Sequence, residues 1–225
     1  MILANAEEEK VIRECGRRLA GISAELIRAV RPGISTGELD ERAETLIAAS
    51  GGDPVFKGFR SHKSEQPFPA SVCTSVNAEV VHGIPRKDRI LREGDIVGID
   101  IGMRWPSQNQ KVKSNLRVPS LGSRENQNGG AGMGLITDMA LTVPVGKISA
   151  SAENLLQKTR GALEAGIGVL KPGMRLGGLG RVIQDSIESA GFSVVKDLVG
   201  HGVGRKLHEE PYIPNYGTPG EGELI

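Results

Sequence analysis

The chain has four histidines, and three of them stand at glycine-containing turns. His82 lies in Val80-Val81-His82-Gly83-Ile84-Pro85, while His201 and His208 flank Gly202-Val203-Gly204-Arg205-Lys206-Leu207. Glycine lets the backbone approach a ligand closely, and imidazole serves as base, acid or metal ligand near neutral pH. The fourth histidine, His62, sits in a polar loop. Two aspartates pose a different question. Asp100 lies in Ile96-Val97-Gly98-Ile99-Asp100-Ile101-Gly102, and Asp138 in Leu135-Ile136-Thr137-Asp138-Met139-Ala140-Leu141. Both runs predict buried strands, where an uncompensated carboxylate costs several kcal/mol or shifts its pKa. A divalent metal resolves both, since carboxylate oxygen and imidazole nitrogen together suit Mn, Fe, Co or Zn. On the pattern alone, each aspartate could equally cap a turn or pair with an arginine.

These residues need elements to position them. Val11, Ile12, Cys15, Leu19, Ile22, Leu26, Ile27 and Val30 recur at three- and four-residue steps and predict a helix from Ala6 to Val30. Pro32-Gly33 ends it. A second helix is expected from Thr36, read as its N-cap, with Leu39, Ala43, Leu46 and Ile47 on its buried side and Gly51-Gly52 at its end. Strands are expected over Ser71–Val81, which would put His82 at a strand end, and over Asp95–Trp105 and Leu135–Val145. Helices return over Ser151–Leu170 and Leu179–Ala190, then a strand over Phe192–Leu198.

An internal repeat runs through this order. Ile27, Pro32-Gly33, Leu39, Ile47 and Gly51 recur as Ile167, Pro172-Gly173, Leu179, Ile187 and Gly191, always 140 positions on. Each unit reads helix, Pro-Gly turn, helix, glycine, strand, which predicts two similar α+β halves. Pro106 to Gly132 stands apart: it is rich in Ser, Asn, Gln and Gly and reads as a flexible surface insertion. Its four basic residues against one acid leave a basic docking arm as the alternative to a solvated loop.

Composition sets the outer limits. The 225 residues are 38% hydrophobic and 24% charged, with a net charge of +1, which suits a soluble globular protein and gives no global argument for nucleic acid or membrane. Length predicts one domain or two closely packed halves. Cys15 and Cys73 are too few for a disulfide framework and favour a reducing compartment. The acidic start from Met1 to Lys10 is not a secretory signal, and no stretch has the roughly 18 apolar residues of a membrane span. The expected location is the cytoplasm.

Four long blocks resemble a known family. Phe68-Pro69-Ala70-Ser71-Val72-Cys73-Thr74-Ser75-Val76-Asn77, running into Glu79 to Pro85, is similar to a motif of the type I methionine aminopeptidases. Gly94 to Asp100 resembles their first metal strand and Thr137 to Thr142 their second. Gly200-His201-Gly202-Val203-Gly204, then Leu207-His208-Glu209 and Pro211, with Asn215-Tyr216-Gly217, resembles a third. The resemblance implies the pita-bread fold, an α/β (α+β) architecture with two pseudo-symmetric halves, a curved antiparallel sheet and helices outside. It implies two divalent metal ions (Co, Mn, Fe or Zn), with Asp100 on one metal, Asp138 bridging both and His201 on the other. His208 would stabilise the developing oxyanion and His82 would contact the substrate amide. Phe68, Cys73 and Leu207 would line the methionine pocket. The substrate would be the N-terminal peptide of nascent proteins with a small second residue, with the ribosome as a candidate partner, no membrane, no specific nucleic acid and a monomeric state.

The chain departs from the family pattern twice. Asp100 and Asp138 are 38 positions apart, further than the family's hairpin places them, and the 27 residues from Pro106 to Gly132 account for the difference. Loop-closure entropy grows slowly with length, so a hairpin can carry such an insertion. The family also uses two glutamate ligands in a C-terminal segment, one in an Ile-Glu-Pro motif, and neither occurs before Ile225. The expectation is a single catalytic domain, incomplete at its C-terminus and lacking its last strands, with little or no activity as written. The alternatives are a non-catalytic pita-bread module that binds peptides or ribosomes, and a proline-specific peptidase of the same fold.

Overall fold

The computed structural model describes residues 3–107 and 134–225. The expected insertion therefore lies almost entirely outside the described residues. The chain divides into two compact units, the first made of Met1–Lys147 with Val203–Leu207 and the second of Ile148–Gly202 with His208–Ile225.

The first unit opens with α1 (Ala6–Ala29), whose N-cap Asn5 accepts hydrogen bonds from the backbone of Glu7 and Glu8. Its apolar stripe, Cys15, Leu19, Ile22 and Leu26, is buried. Helix α2 (Thr36–Ala49) follows, with a capping box between Ser35 and Glu38. The N-cap is thus Ser35, one residue before the expected Thr36, because Ser35 has the extended backbone that lets its hydroxyl reach back to Glu38 N.

Behind these helices lies an antiparallel sheet of β1 (Asp53–Pro54), β2 (Val72–Val76), β3 (Ile96–Trp105) and β4 (Leu135–Pro144). β3 is central, pairing β4 along ten residues on one side and β1 and β2 on the other. Val97, Ile99, Ile101 and Met103 alternate into the core against α1 and α2. The expected strand over Ser71–Val81 is shorter than read. It ends at Val76 because Asn77 turns into the left-handed region at φ 57°, where its side chain bonds Asp95 and the Ile96 N–H. His82 therefore does not end a strand.

Two anchors tie helix to sheet. Asp40 on α2 accepts the backbone N–H groups of Ser71 (2.7 Å) and Val72 (3.2 Å), fixing the start of β2, and burial pushes its pKa up. Glu14 on α1 takes two bonds from Arg17 and one from Arg18. Arg18 also donates to Ser50 O and lies 4.5 Å over the Trp105 ring.

The second unit repeats the first unit's helical half. Helices α3 (Ala150–Val169) and α4 (Leu176–Glu188) follow α1 and α2 at the expected spacing, α3 ending and α4 starting exactly 140 positions on. Gly33 and Gly173 share positive φ (91° and 81°), as do Gly51 and Gly191 (77° and 81°). Gly33 N–H donates to Leu91 O and Leu91 N–H to Ile34 O; likewise Gly173 N–H donates to Ile225 O and Ile225 N–H to Met174 O. The shared Pro-Gly turn thus builds one local device twice.

The strands differ more. The expected strand over Phe192–Leu198 is irregular, and pairing begins instead at β5 (Val199–Gly202), which meets β6 (Glu209–Pro214) in a two-stranded ribbon. Among the described residues no ladder partner reaches Phe192–Leu198, and a strand without a ladder does not form. Leu163 and Ile167 of α3 remain 55% and 59% exposed.

Two outcomes check this packing. Asp40→Ala leaves two buried N–H groups without an acceptor and should lower stability by about 2 kcal/mol or more in urea unfolding, while Asp40→Asn should retain most of it. Glu14 is held at a pKa of about 2, first by its hydrogen bond from Arg17. Its folded pKa is depressed, so its stabilisation is present above the usual carboxylate pKa and is lost as pH falls towards 2. The stability gap between the native protein and Glu14→Gln should therefore shrink over that window.

Candidate active site

Register and alternation decide where the two aspartates fall. Asp100 lies opposite Ala140 and Asp138 opposite Gly102. Asp100 and Asp138 are therefore diagonal neighbours on the same face of the β3–β4 hairpin, the face away from the α1 core. Cys73 on β2 faces Asp100 across the other pairing. The three side chains converge although two of them are far apart in sequence.

Each perturbs the others. Burial pushes Asp138 well above the ordinary carboxylate range, and the charge and hydrogen bond of Asp100 push it further the same way. Burial also pushes the Cys73 thiol up to about 12, and the charges of Asp100 and Asp138 add to the rise. A thiol so held is protonated at neutral pH and is a soft apolar wall, not a nucleophile. Both aspartates are partly buried; they were expected to be buried.

Gly102 makes this arrangement possible. A Cβ there would stand 2.8 Å from Phe56 Cε1, 2.9 Å from Val55 Cγ2 and 3.4 Å from Asp138 Oδ1. The space beside Asp138 is thus bounded by an aromatic wall. Phe56, Cys73, Ile136 and Leu207 form a buried apolar cluster, with Val55, Phe59, Phe68 and Val203 packed against it. Phe56 and Phe68 meet edge to face, ring centroids 6.5 Å apart. Phe68, Cys73 and Leu207, expected on sequence grounds to share a pocket, do share this cluster.

Phe56 and Ile136 escaped the sequence reading. Ile136 had a signal, because it stands two residues before Asp138 on β4 and so shares its face. Phe56 had none. It is delivered by the pairing of β1 with β3 at Asp53–Arg104 and Pro54–Met103.

His82 is exposed, with φ 58°. Its backbone N–H bonds the Cys73 sulfur, lowering that thiol's pKa slightly against the larger effects. The next residue locks the turn to β2: Thr74 N–H donates to Gly83 O, and Gly83 N–H to Ser75 Oγ. Only glycine fits there, since a Cβ would come within 2.4 Å of Thr74 O.

The second unit places the other two histidines together. His201 on β5 and His208 meet edge to face with ring centroids 4.4 Å apart. His201 Nδ1 lies 2.9 Å from Gly202 O. A carbonyl only accepts, so Nδ1 carries the proton, which leaves Nε2 as the basic nitrogen suited to a metal. A bulge between His201 and Gly202 breaks the ribbon's register at this point.

Two adjacent carboxylates on one face are an incomplete oxygen donor set for a divalent cation, and they fit one. The like-charge conflict that raises Asp138 is relieved when a cation replaces the shared proton. Within each unit, among the described residues, no group of three or more His, Cys, Asp or Glu side chains converges to hold a metal by itself.

Residues 10–108 and 127–224 match the model of metallopeptidase family M24. The chain belongs to that family. Methionine aminopeptidase 1 of Bacillus subtilis is 40% identical to this M24 chain over 225 residues, all of it and 77% of the relative. The methionine aminopeptidase of Clostridium acetobutylicum is 36% identical over the same shares of both chains. Among solved structures, the methionine aminopeptidase of Thermotoga maritima superposes with a TM-score of 0.81 at 35% identity, covering 100% of this chain and 77% of the other. The prolidase of Pyrococcus furiosus shares the fold, with a TM-score of 0.72 at 18% identity over 100% and 54%. The M24 chain therefore has the pita-bread fold of the methionine aminopeptidases. No described helix is long and apolar enough to cross a membrane.

Gly102→Ala should force Phe56 aside and destabilise the first unit by about 1–3 kcal/mol, the usual penalty for overpacking. Urea unfolding of the variant checks this, and an unchanged midpoint would mean that the aromatic wall yields freely.

Proposed function

We propose that the protein removes the initiator methionine from nascent polypeptides whose second residue is small. The observation that carries this reading is the pair of same-face carboxylates, Asp100 and Asp138, beside an apolar cluster containing a neutral thiol. The similarity to methionine aminopeptidases stands behind it.

In this reading Asp100, Asp138 and His201 would be among the residues that hold the divalent metal ions. Such ions, when bound, would supply Lewis acidity towards a water and the scissile carbonyl. The protein's own groups do the rest. Phe68, Cys73 and Leu207 take the thioether side chain by soft apolar contact. His82, fixed by the Gly83 turn, contacts the substrate amide. His208 donates a hydrogen bond to the oxygen that becomes negative in the transition state, a stabilisation that grows as the charge develops. The edge-to-face packing of His201 and His208 supports these roles, because it restrains the orientation of both rings.

The test is methionine release from a Met-Ala-Ser peptide with Mn or Co added. Residues 1–225 hold three of the five ligands that the family resemblance implies, so a polypeptide of these residues alone should release methionine slowly or not at all. The same residues extended by a family C-terminal segment should turn over. Asp138→Asn in the extended form should cost on the order of 10²–10³-fold or more in rate, and should weaken Mn binding in titration calorimetry. Turnover by the 225-residue polypeptide would mean that another acid completes the site. If both forms fold but neither turns over, a peptide- or ribosome-binding role becomes the better account.

A further inference from the structure

The five-residue segment Val203–Leu207 belongs to the first unit although the residues on either side of it do not. It has little regular structure to hold it. Gly204 accepts one backbone bond, from Ile136 N–H at 2.7 Å, and closes a tight turn through Gly204 N–H to Lys206 O at 3.1 Å. Yet Leu207 is 6% exposed within the cluster of Phe56, Cys73 and Ile136. A short, glycine-containing segment keeps a side chain in a fixed place only if something anchors it from the other side.

That anchor is a charge pair. Arg205 bonds Glu8 through Nη2 and Oε1. The Glu8 side chain is 2% exposed and the Arg205 side chain 43%. Glu8 is rigidly placed: its other carboxylate oxygen accepts Ala4 N–H at 2.7 Å, and its backbone N–H donates to the Asn5 cap. A carboxylate this deeply buried is tolerated only when paired, so it draws the guanidinium to one position. Arg205 then points to the start of α1 while Leu207, two residues on, enters the apolar cluster.

We propose that the Glu8–Arg205 pair is a positioning device that fixes Leu207 against Cys73, Phe56 and Ile136, and so sets one side of this apolar cluster. That the cluster receives methionine rests on the function proposed above; the clamp itself does not. Arg205 touches no substrate in this account. It acts through Leu207.

Cys73 provides the readout, because it shares the cluster with Leu207 and Cys15 reports on the core elsewhere. The native protein, Arg205→Ala, Arg205→Lys and Glu8→Gln are treated with iodoacetamide at mildly alkaline pH, and each cysteine's modification rate is followed by peptide mass spectrometry. The expected result is a rise of at least tenfold at Cys73 in Arg205→Ala with Cys15 unchanged, and a rate near the native one in Arg205→Lys. Glu8→Gln should show a smaller rise, and it decides the matter if Arg205→Ala does not fold. An unchanged Cys73 rate overturns the proposal, as does a parallel rise at both cysteines, which is what a merely structural ion pair would give. In a separate arm, free methionine is added to the native protein. Failure of methionine to protect Cys73 would count against the aminopeptidase reading while leaving the result on the clamp intact.

Discussion

Two like charges side by side on one face of a sheet form the arrangement around which the first unit is organised. Diagonal carboxylates on an antiparallel pair repel, and partial burial raises the cost of that repulsion. Gly102 contributes no side chain that would push Asp138 away, and Cys73 lies opposite Asp100 as a neutral thiol instead of a compensating cation. A sheet built for stability alone would place an arginine or an apolar residue there. The chain instead keeps a site that a divalent cation would satisfy, and stability comes from the opposite face, where Val97, Ile99, Ile101 and Met103 pack under the helices.

The same helical device serves two different ends. In both units a helix, a Pro-Gly turn with positive φ, a second helix and a positive-φ glycine follow one another with matching backbone bonds. What is attached to that frame differs. In the first unit α1 lies against the long β3–β4 hairpin, whose far face carries the acids. In the second a short ribbon carries His201, with His208 in the bend just before β6 and a bulge at His201 that re-aims the strand. A common frame thus carries different attachments, a carboxylate pair in one unit and a histidine pair in the other.

The apolar cluster shows how far local packing depends on remote segments. Its members come from β1's neighbourhood (Phe56), the loop before β2 (Phe68), β2 (Cys73), β4 (Ile136) and the segment 203–207 (Leu207). None is held only by its own element. Asp40 pins β2 from α2, the Gly83 turn braces β2's outer edge, and Glu8 reaches Arg205 from the first turn of α1. The cluster's shape is therefore a property of the packed unit, not of any motif.

The sequence by itself determined the helices, their spacing and the two long strands, because these follow from apolar periodicity and from local turn chemistry at Pro-Gly and Gly-Gly. It also singled out Asp100, Asp138 and His201, because acids inside apolar strands and histidines near glycine turns are costly or unusual wherever they occur; Phe68, Cys73 and Leu207 entered only through the resemblance to the methionine aminopeptidases. It misplaced what depends on partners. The end of β2 was set by Asn77 turning left-handed to meet Asp95, and Phe192–Leu198 stayed irregular for want of a ladder, neither visible in a residue's own neighbourhood. Only tertiary structure put Asp100 and Asp138 on one face across 38 positions of chain, since cross-strand register is fixed by the whole hairpin. It alone brought Phe56 to Gly102 and Arg205 to Glu8, because contacts between distant segments leave no periodic trace in either one.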